Sequence, residues 1–550
     1  MDLYPAVTFS ISSSIEGGTS FIKAFANHID HFLGIQYATA GRFEEPQEVP
    51  LWEGKRDAKN LRNFVPQSME SLSKEFSPPK RYIKEQNMDE DCLYLNIWRP
   101  SKVNKGHRLP VLVFIHGGNF KSGCGDIFDG EILACGTGAI VVNFNYRLGI
   151  LGFMCTKDGV LQGNYGLLDQ VAALKWINKY IEYFGGDKNN VTLYGVGSGA
   201  TMATAHMMSS LSKGLFHKVI CSSGNLISPI AYSREFFSET LYFFAKRFGY
   251  SGSKDGKEIK EYLMQLPISS ITRITHNAIP MGVCIDGKFL TKHPKELIES
   301  KEYSQVPLML GTFDEGFKMF SKYLTSTDGK LKGADHFNMI LNGIVKDFTF
   351  MNSSTEVTDE VVQKLVKSFG PKRTKKDEDY LKSGCKIFGD MMVNFPTYKL
   401  AYMHQSNAPV YMYEVHVPNM SVEAPSWVET CHGEEYRFTF GETFAERSEI
   451  PWKKEHKDIS ISLIKRFTEF LTKGEISDWK PFTPETKYIE IFKAPEAKIQ
   501  SNYDDKRMKV WVELDQKAEK DANRKSMDQL NLNTTIENLF KVYFAKGFNI

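Results

Sequence analysis

The chain has 550 residues, and its 68 Lys plus Arg against 66 Asp plus Glu leave a net charge of +2, which gives no reason to expect a nucleic acid or another polyanion as partner. With 42% hydrophobic and 13% aromatic residues it carries enough apolar material for a large buried core, and no run of about 18 apolar residues marks a transmembrane helix. Its 8 cysteines include no Cys-x-x-Cys pair, so neither a zinc site nor a disulfide framework is indicated, and no metal or cofactor is expected.

Met1-Asp2-Leu3-Tyr4-Pro5 leads straight into strand-like alternation from Val7 to Ile11, without the basic and then apolar stretches of a secretory signal. The expectation is a cytoplasmic protein. The sequons at Asn190, Asn352, Asn419 and Asn533 carry no meaning in such a location. The β-branched runs Leu109–Ile115 and Ala139–Phe144 predict buried strands, and Gly166–Tyr183 has the period of a helix. Their alternation predicts an α/β fold with a mostly parallel sheet covered by helices.

Val191 to Val196 reads as another strand, Gly195-Val196-Gly197-Ser198-Gly199 as a tight turn, and Ala200 to Ala205 as the start of a helix. A strand that feeds a helix through such a turn is the setting of a nucleophile elbow. Phosphate-binding loops and purely structural turns share it. From 515 to 550 the chain becomes lysine-rich and polar until Ile536, Leu539, Phe540, Tyr543 and Phe544, which recur at helical spacing. This predicts a main domain over 1–514 and a helical tail over 515–550, docked on that domain or on a protein or membrane surface.

Three stretches select among the readings of the turn. They are Glu90-Asp91-Cys92-Leu93-Tyr94-Leu95-Asn96-Ile97-Trp98-Arg99-Pro100, His116-Gly117-Gly118-Asn119-Phe120, and Asn145-Tyr146-Arg147-Leu148-Gly149 with Gly163-Asn164-Tyr165-Gly166-Leu167-Leu168-Asp169-Gln170. In order and spacing they resemble the type-B carboxylesterase and cholinesterase family, from about residue 7 to about residue 514. The resemblance implies an α/β-hydrolase fold, with a large, mostly parallel twisted central sheet flanked by helices, and carboxylic-ester chemistry.

Carried over position by position, the resemblance places the nucleophile at Gly197, the triad carboxylate at Glu315 and the histidine base at His432. It assigns the oxyanion hole to the N–H groups of Gly117, Gly118 and Ser198, and a supporting role beside the acid to Ser223. Asn119 stands where the family often has a third glycine, and His116 reads as a residue that shapes the loop. Arg42 with Glu90 and Arg147 with Asp169 resemble the family's two internal ion pairs.

In an intact triad the histidine takes the hydroxyl proton and the carboxylate fixes its tautomer. Glycine offers no atom to attack with, as in neuroligin-like members, which carry glycine at the same position. The expectation is therefore an impaired enzyme, a pseudoenzyme that binds a hydrophobic ester, lipid or acylated metabolite in a retained gorge or acts through protein contacts. The alternative is an active ester hydrolase or acyl transferase that uses Ser198 or a water activated by His432. Relative to secreted relatives, Val65 replaces the bridge partner of Cys92, and Tyr250 and Tyr262 stand near a second missing bridge, which fits a reducing compartment. No tryptophan lies between Gln67 and Asp89 to serve as a choline-binding platform.

Overall fold

A computed structural model describes residues 5–10, 13–76, 87–102, 106–228, 234–277, 281–313, 316, 333–344, 355–372, 376–417, 427–429, 432–445, 448, 450–487, 489–493, 496–503 and 505–522. Among them an 11-stranded sheet forms the centre of the molecule. Its strands are β1 (Gly18–Ile22), β2 (Asn27–Gln36), β3 (Tyr94–Pro100), β4 (Leu109–Ile115), β5 (Ile140–Phe144), β6 (Gly186–Val196), β7 (Lys218–Ser222), β8 (Leu308–Thr312), β9 (Val410–His416), β10 (Ile489–Lys493) and β11 (Glu496–Gln500). The order across the sheet is β11-β10-β9-β8-β7-β6-β4-β5-β3-β2-β1. From β10 to β5 neighbouring strands run parallel, and antiparallel pairs close both edges.

Burial on both faces explains why the central strands read as unbroken apolar runs. Along β4, Val111, Val113 and Ile115 enter one core cluster, whereas Leu112 and Phe114 enter the other. Helices α2 (Tyr165–Tyr180) and α3 (Ser198–Met208) cover the first face through Leu167, Leu174, Ile177, Met202 and Met207. Helices α1 (Glu131–Thr137) and α4 (Lys454–Lys473) cover the second through Leu133, Ile459, Leu463, Phe467 and Phe470. Every residue of α3 is buried, so it is a core helix rather than an amphipathic one.

The predicted helix over 166–183 is α2, with its last turn tightened into a 3-10 segment, Ile181–Phe184. The N-terminal strand Ala6–Ser10 pairs with Ser13–Glu16, which pairs in turn with Gly54–Asp57, outside the main sheet. Helix α5 (Asp505–Ala522) runs through position 515 as one piece. It buries Met508, Trp511 and Leu514, and Lys399 Nζ reaches the Asp515 carboxylate at 2.6 Å. The apolar tail positions Ile536 to Phe544 lie outside the described residues. No helix among the described residues is long and apolar enough to cross a membrane.

Both ion pairs form. Arg147 and Asp169 meet at 2.7 Å with both side chains buried, and Arg42 holds Glu90 at 2.5 Å while donating to the carbonyls of Leu263 and Leu266. Tyr250 and Tyr262 stack at a tilt, with ring centroids 5.2 Å apart.

Candidate active site

Strand order reverses between β6 and β4, and in a parallel sheet the crevice beyond the carboxyl ends of such a pair is where ligands bind. The register aligns Gly195 with Ile115, Val196 with Ser222, and Ser222 with Gly311. The chain therefore leaves β4, β6, β7 and β8 side by side, which brings the 116–120 loop, Gly197 and Ser223 together at one end of the sheet.

At the end of β6 the backbone turns sharply. Gly197 has φ +59° and ψ −122°, and α3 begins at the next residue. Positive φ is disfavoured for a residue with a β-carbon, and glycine adopts it without penalty. Two contacts fix the turn: the Gly197 N–H donates to the Ser222 carbonyl at 2.9 Å, and Gly224 packs directly on the Gly197 carbonyl. A β-carbon at position 197 would point at the imidazole of His432, 3.2 Å from Nε2 and 3.6 Å from Cε1. The structure thus sets His432 over the direction in which a side chain at 197 would project.

The glycine loop faces the same point. Gly117 packs on the Val196 carbonyl, and a β-carbon on Gly117 would lie 3.7 Å from the Ser198 nitrogen. Gly118 has φ +109°, and the two residues after it, Asn119 at +54° and Phe120 at +62°, are also left-handed although neither is glycine. The side chain at 119 is thus accommodated in the left-handed region, which asparagine tolerates better than most residues. Ser198, 9% exposed, accepts a hydrogen bond at Oγ from the Phe120 N–H at 3.4 Å. Its hydroxyl is therefore engaged with the glycine loop.

Ser223 is buried and left-handed, with φ +58°, and donates its N–H to the Gly311 carbonyl at 2.8 Å. Glu315 lies outside the described residues. Its neighbour Gly316 packs on the backbone of Cys385. His116 shapes the loop: burial lowers its pKa to about 4, its Nδ1 sits 2.9 Å from the Gly117 carbonyl, and its ring stacks on Tyr146 at 4.3 Å. A fully buried, neutral imidazole stacked in this way supports the loop and is unsuited to proton transfer at neutral pH.

One feature of the site did not emerge from the sequence. His416, the last residue of β9, contacts Glu414 at 3.5 Å through Nε2 and Glu429 at 2.6 Å through Nδ1. Hydrogen bonds to Glu414 first and Glu429 second raise its pKa to about 10, so it is a cation at neutral pH. Glu429 precedes His432 by three residues, so this ion pair ties the histidine's segment to the end of the sheet. The only signal available in advance was the i, i+2 spacing of Glu414 and His416, which puts both on one face of a strand.

The comparisons agree with this architecture. Residues 4–511 match the carboxylesterase family. An acylcarnitine hydrolase from Rattus norvegicus is 30% identical over 497 residues, covering 88% of this chain and 87% of that protein. A medium-chain fatty acyl-CoA hydrolase precursor from Anas platyrhynchos is 29% identical over 539 residues, covering 94% and 93% of the two chains. Carboxylesterase 3 from Homo sapiens is 29% identical over 559 residues, with the same coverage of 94% and 93%. With its sheet, its elbow and this match over nearly its whole length, the chain belongs to the carboxylesterase family.

Proposed function

We propose that this chain has lost ordinary ester hydrolysis and retains the site as a binding pocket for a hydrophobic acyl ester, lipid or acylated metabolite. The observation that carries this reading is the geometry at position 197. The direction of a side chain there leads to His432 Nε2 at 3.2 Å, and glycine places only a hydrogen on it. In a serine hydrolase, removal of the serine costs about 10⁶ in kcat and leaves roughly 10³–10⁴ over water from the oxyanion hole and binding. Binding does not need the nucleophile, because complementarity to the acyl chain and to the carbonyl oxygen comes from other groups.

Acylcarnitines and fatty acyl-CoAs, the compounds named for two of the relatives, make an acyl ester the first ligand to try. Ser198 is the competing nucleophile, and its Oγ already accepts the Phe120 N–H. The test combines a fluorophosphonate probe, p-nitrophenyl butyrate turnover and calorimetric titration with an acylcarnitine. Saturable binding without labelling, and with turnover about 10⁶ below that of a serine hydrolase, is the expected result. Stoichiometric labelling that disappears in Ser198→Ala would overturn the proposal.

A further inference from the structure

We propose that Cys155 and Cys284 are a redox modification site, closing to a reversible disulfide when the protein meets a peroxide. Their sulfurs lie 3.5 Å apart although the residues are 129 positions apart in the chain. A disulfide has S–S near 2.05 Å, so closure requires about 1.5 Å of approach, within reach of rotation about the two Cα–Cβ bonds.

Both β-carbons border Gly163: a β-carbon there would stand 3.0 Å from that of Cys155 and 3.7 Å from that of Cys284. Asn164 clamps Cys284 on both sides, with Nδ2 donating to its carbonyl at 2.7 Å and Oδ1 accepting its N–H at 3.0 Å. The segment after Cys155 is closed by the Thr156 N–H donating to the Leu161 carbonyl at 3.0 Å. By contrast, the thiol of Cys221 faces the Ala200 carbonyl at 3.7 Å. Among the described cysteines, 155 and 284 are the pair whose sulfurs meet.

The chemistry balances without a metal. The thiolate of one cysteine attacks a peroxide oxygen, the O–O bond breaks, and a sulfenic acid forms as hydroxide leaves and is protonated to water. The second sulfur, losing its proton, displaces the sulfenic hydroxyl as water and makes the S–S bond. The two sulfurs give up two electrons, and hydrogen peroxide becomes two waters. Both cysteines are fully buried, so the oxidant enters by local opening and the rate follows that opening.

The cross-link would act on the site from behind. Cys155 follows the helix Gly149–Phe153, whose Phe153 ring packs edge-on against Phe120 at 5.0 Å and whose Gly149 N–H donates to the Phe120 carbonyl at 2.7 Å. Oxidation therefore ties the support of the 116–120 loop to the distant segment at 284.

The test treats the purified full-length chain with hydrogen peroxide under native conditions, blocks remaining thiols with N-ethylmaleimide, and maps peptides without reduction. The expected product is a Cys155–Cys284 cross-linked peptide, with a thermal midpoint about 3–4 °C higher that dithiothreitol reverses. Cys155→Ser and Cys284→Ser should each abolish both effects. Recovery of both cysteines singly alkylated or singly over-oxidised from folded wild-type protein would refute the proposal. So would a dominant cross-link between other cysteines.

Discussion

Gly197→Ser is the most informative single substitution, because the structure fixes both its penalty and its return. A serine at φ +59° and ψ −122° adopts a sparsely populated backbone conformation at a cost of about 1–3 kcal/mol. Its β-carbon would meet His432 Nε2 at 3.2 Å, a few tenths of an ångström inside ordinary contact, so the imidazole must withdraw slightly. A hydroxyl hydrogen-bonded to that nitrogen returns about 0.5–1.5 kcal/mol. The net is a destabilisation of about 1–2 kcal/mol. Over 550 residues the unfolding entropy is about 1.2 kcal/mol/K, so the thermal midpoint should fall by only about 1–2 °C. Activity should move the other way, with p-nitrophenyl butyrate turnover rising by at least about 10² and by as much as about 10⁶ if the alignment is complete. Fluorophosphonate labelling should rise to one probe per chain. A folded Gly197→Ser protein that neither labels nor turns over would refute the inference that the site needs only an attacking oxygen.

Ser198→Ala removes the acceptor of the Phe120 N–H and should cost about 1 kcal/mol in chemical denaturation, without changing probe labelling of the wild type. His416 is raised from its ordinary 6.5 to about 10 by Glu414 and Glu429, so its stabilisation is complete below about pH 6.5 and is lost as pH rises through about 10. With that side chain one-third exposed, His416→Gln should cost on the order of 1–2 kcal/mol at pH 6, and melting curves of variant and wild type should converge by about pH 10.5. Asp126 responds to pH in the same sense from a different cause: burial raises its carboxyl from 3.8 to about 7, against hydrogen bonds from Asn96 and Asn145, so its contribution worsens as pH rises between those values. Asp126→Asn should therefore be more stable than wild type by about 1–2 kcal/mol at pH 8, with the advantage gone at pH 4; an equal gain at both would exclude titration as the cause.

Much of this was legible in the residues. β4 and β5 declared themselves because parallel strands buried on both faces need apolar residues at every position. The elbow declared itself because close approach of strand, helix and glycine loop admits few side chains. The beginning of β6 did not, because Gly186-Asp187-Lys188-Asn189-Asn190 is polar and the register slips between Gly186 and Val191, so no period marks it as strand. Gly54–Asp57 is exposed throughout and carries no pattern either. The His416–Glu429 clamp and the Cys155–Cys284 contact join segments brought together only by the folded sheet, and pair contacts of that kind leave no local trace.

The strain around Gly197 bears on why a pocket without a nucleophile would persist. Asn119, Phe120 and Ser223 all hold left-handed backbones without being glycine, and all three surround the elbow. Each costs about 1–2 kcal/mol and survives only where neighbouring packing over-determines it. Here that packing is specific: Phe120 is held by Phe153 and by the Gly149 N–H, and Ser223 by the Gly311 carbonyl. A site that had merely decayed would lower its energy by exchanging these residues for glycine or by relaxing the loop. Strain maintained beside a relaxed Gly197 therefore supports the proposed retention of the site over its general decay.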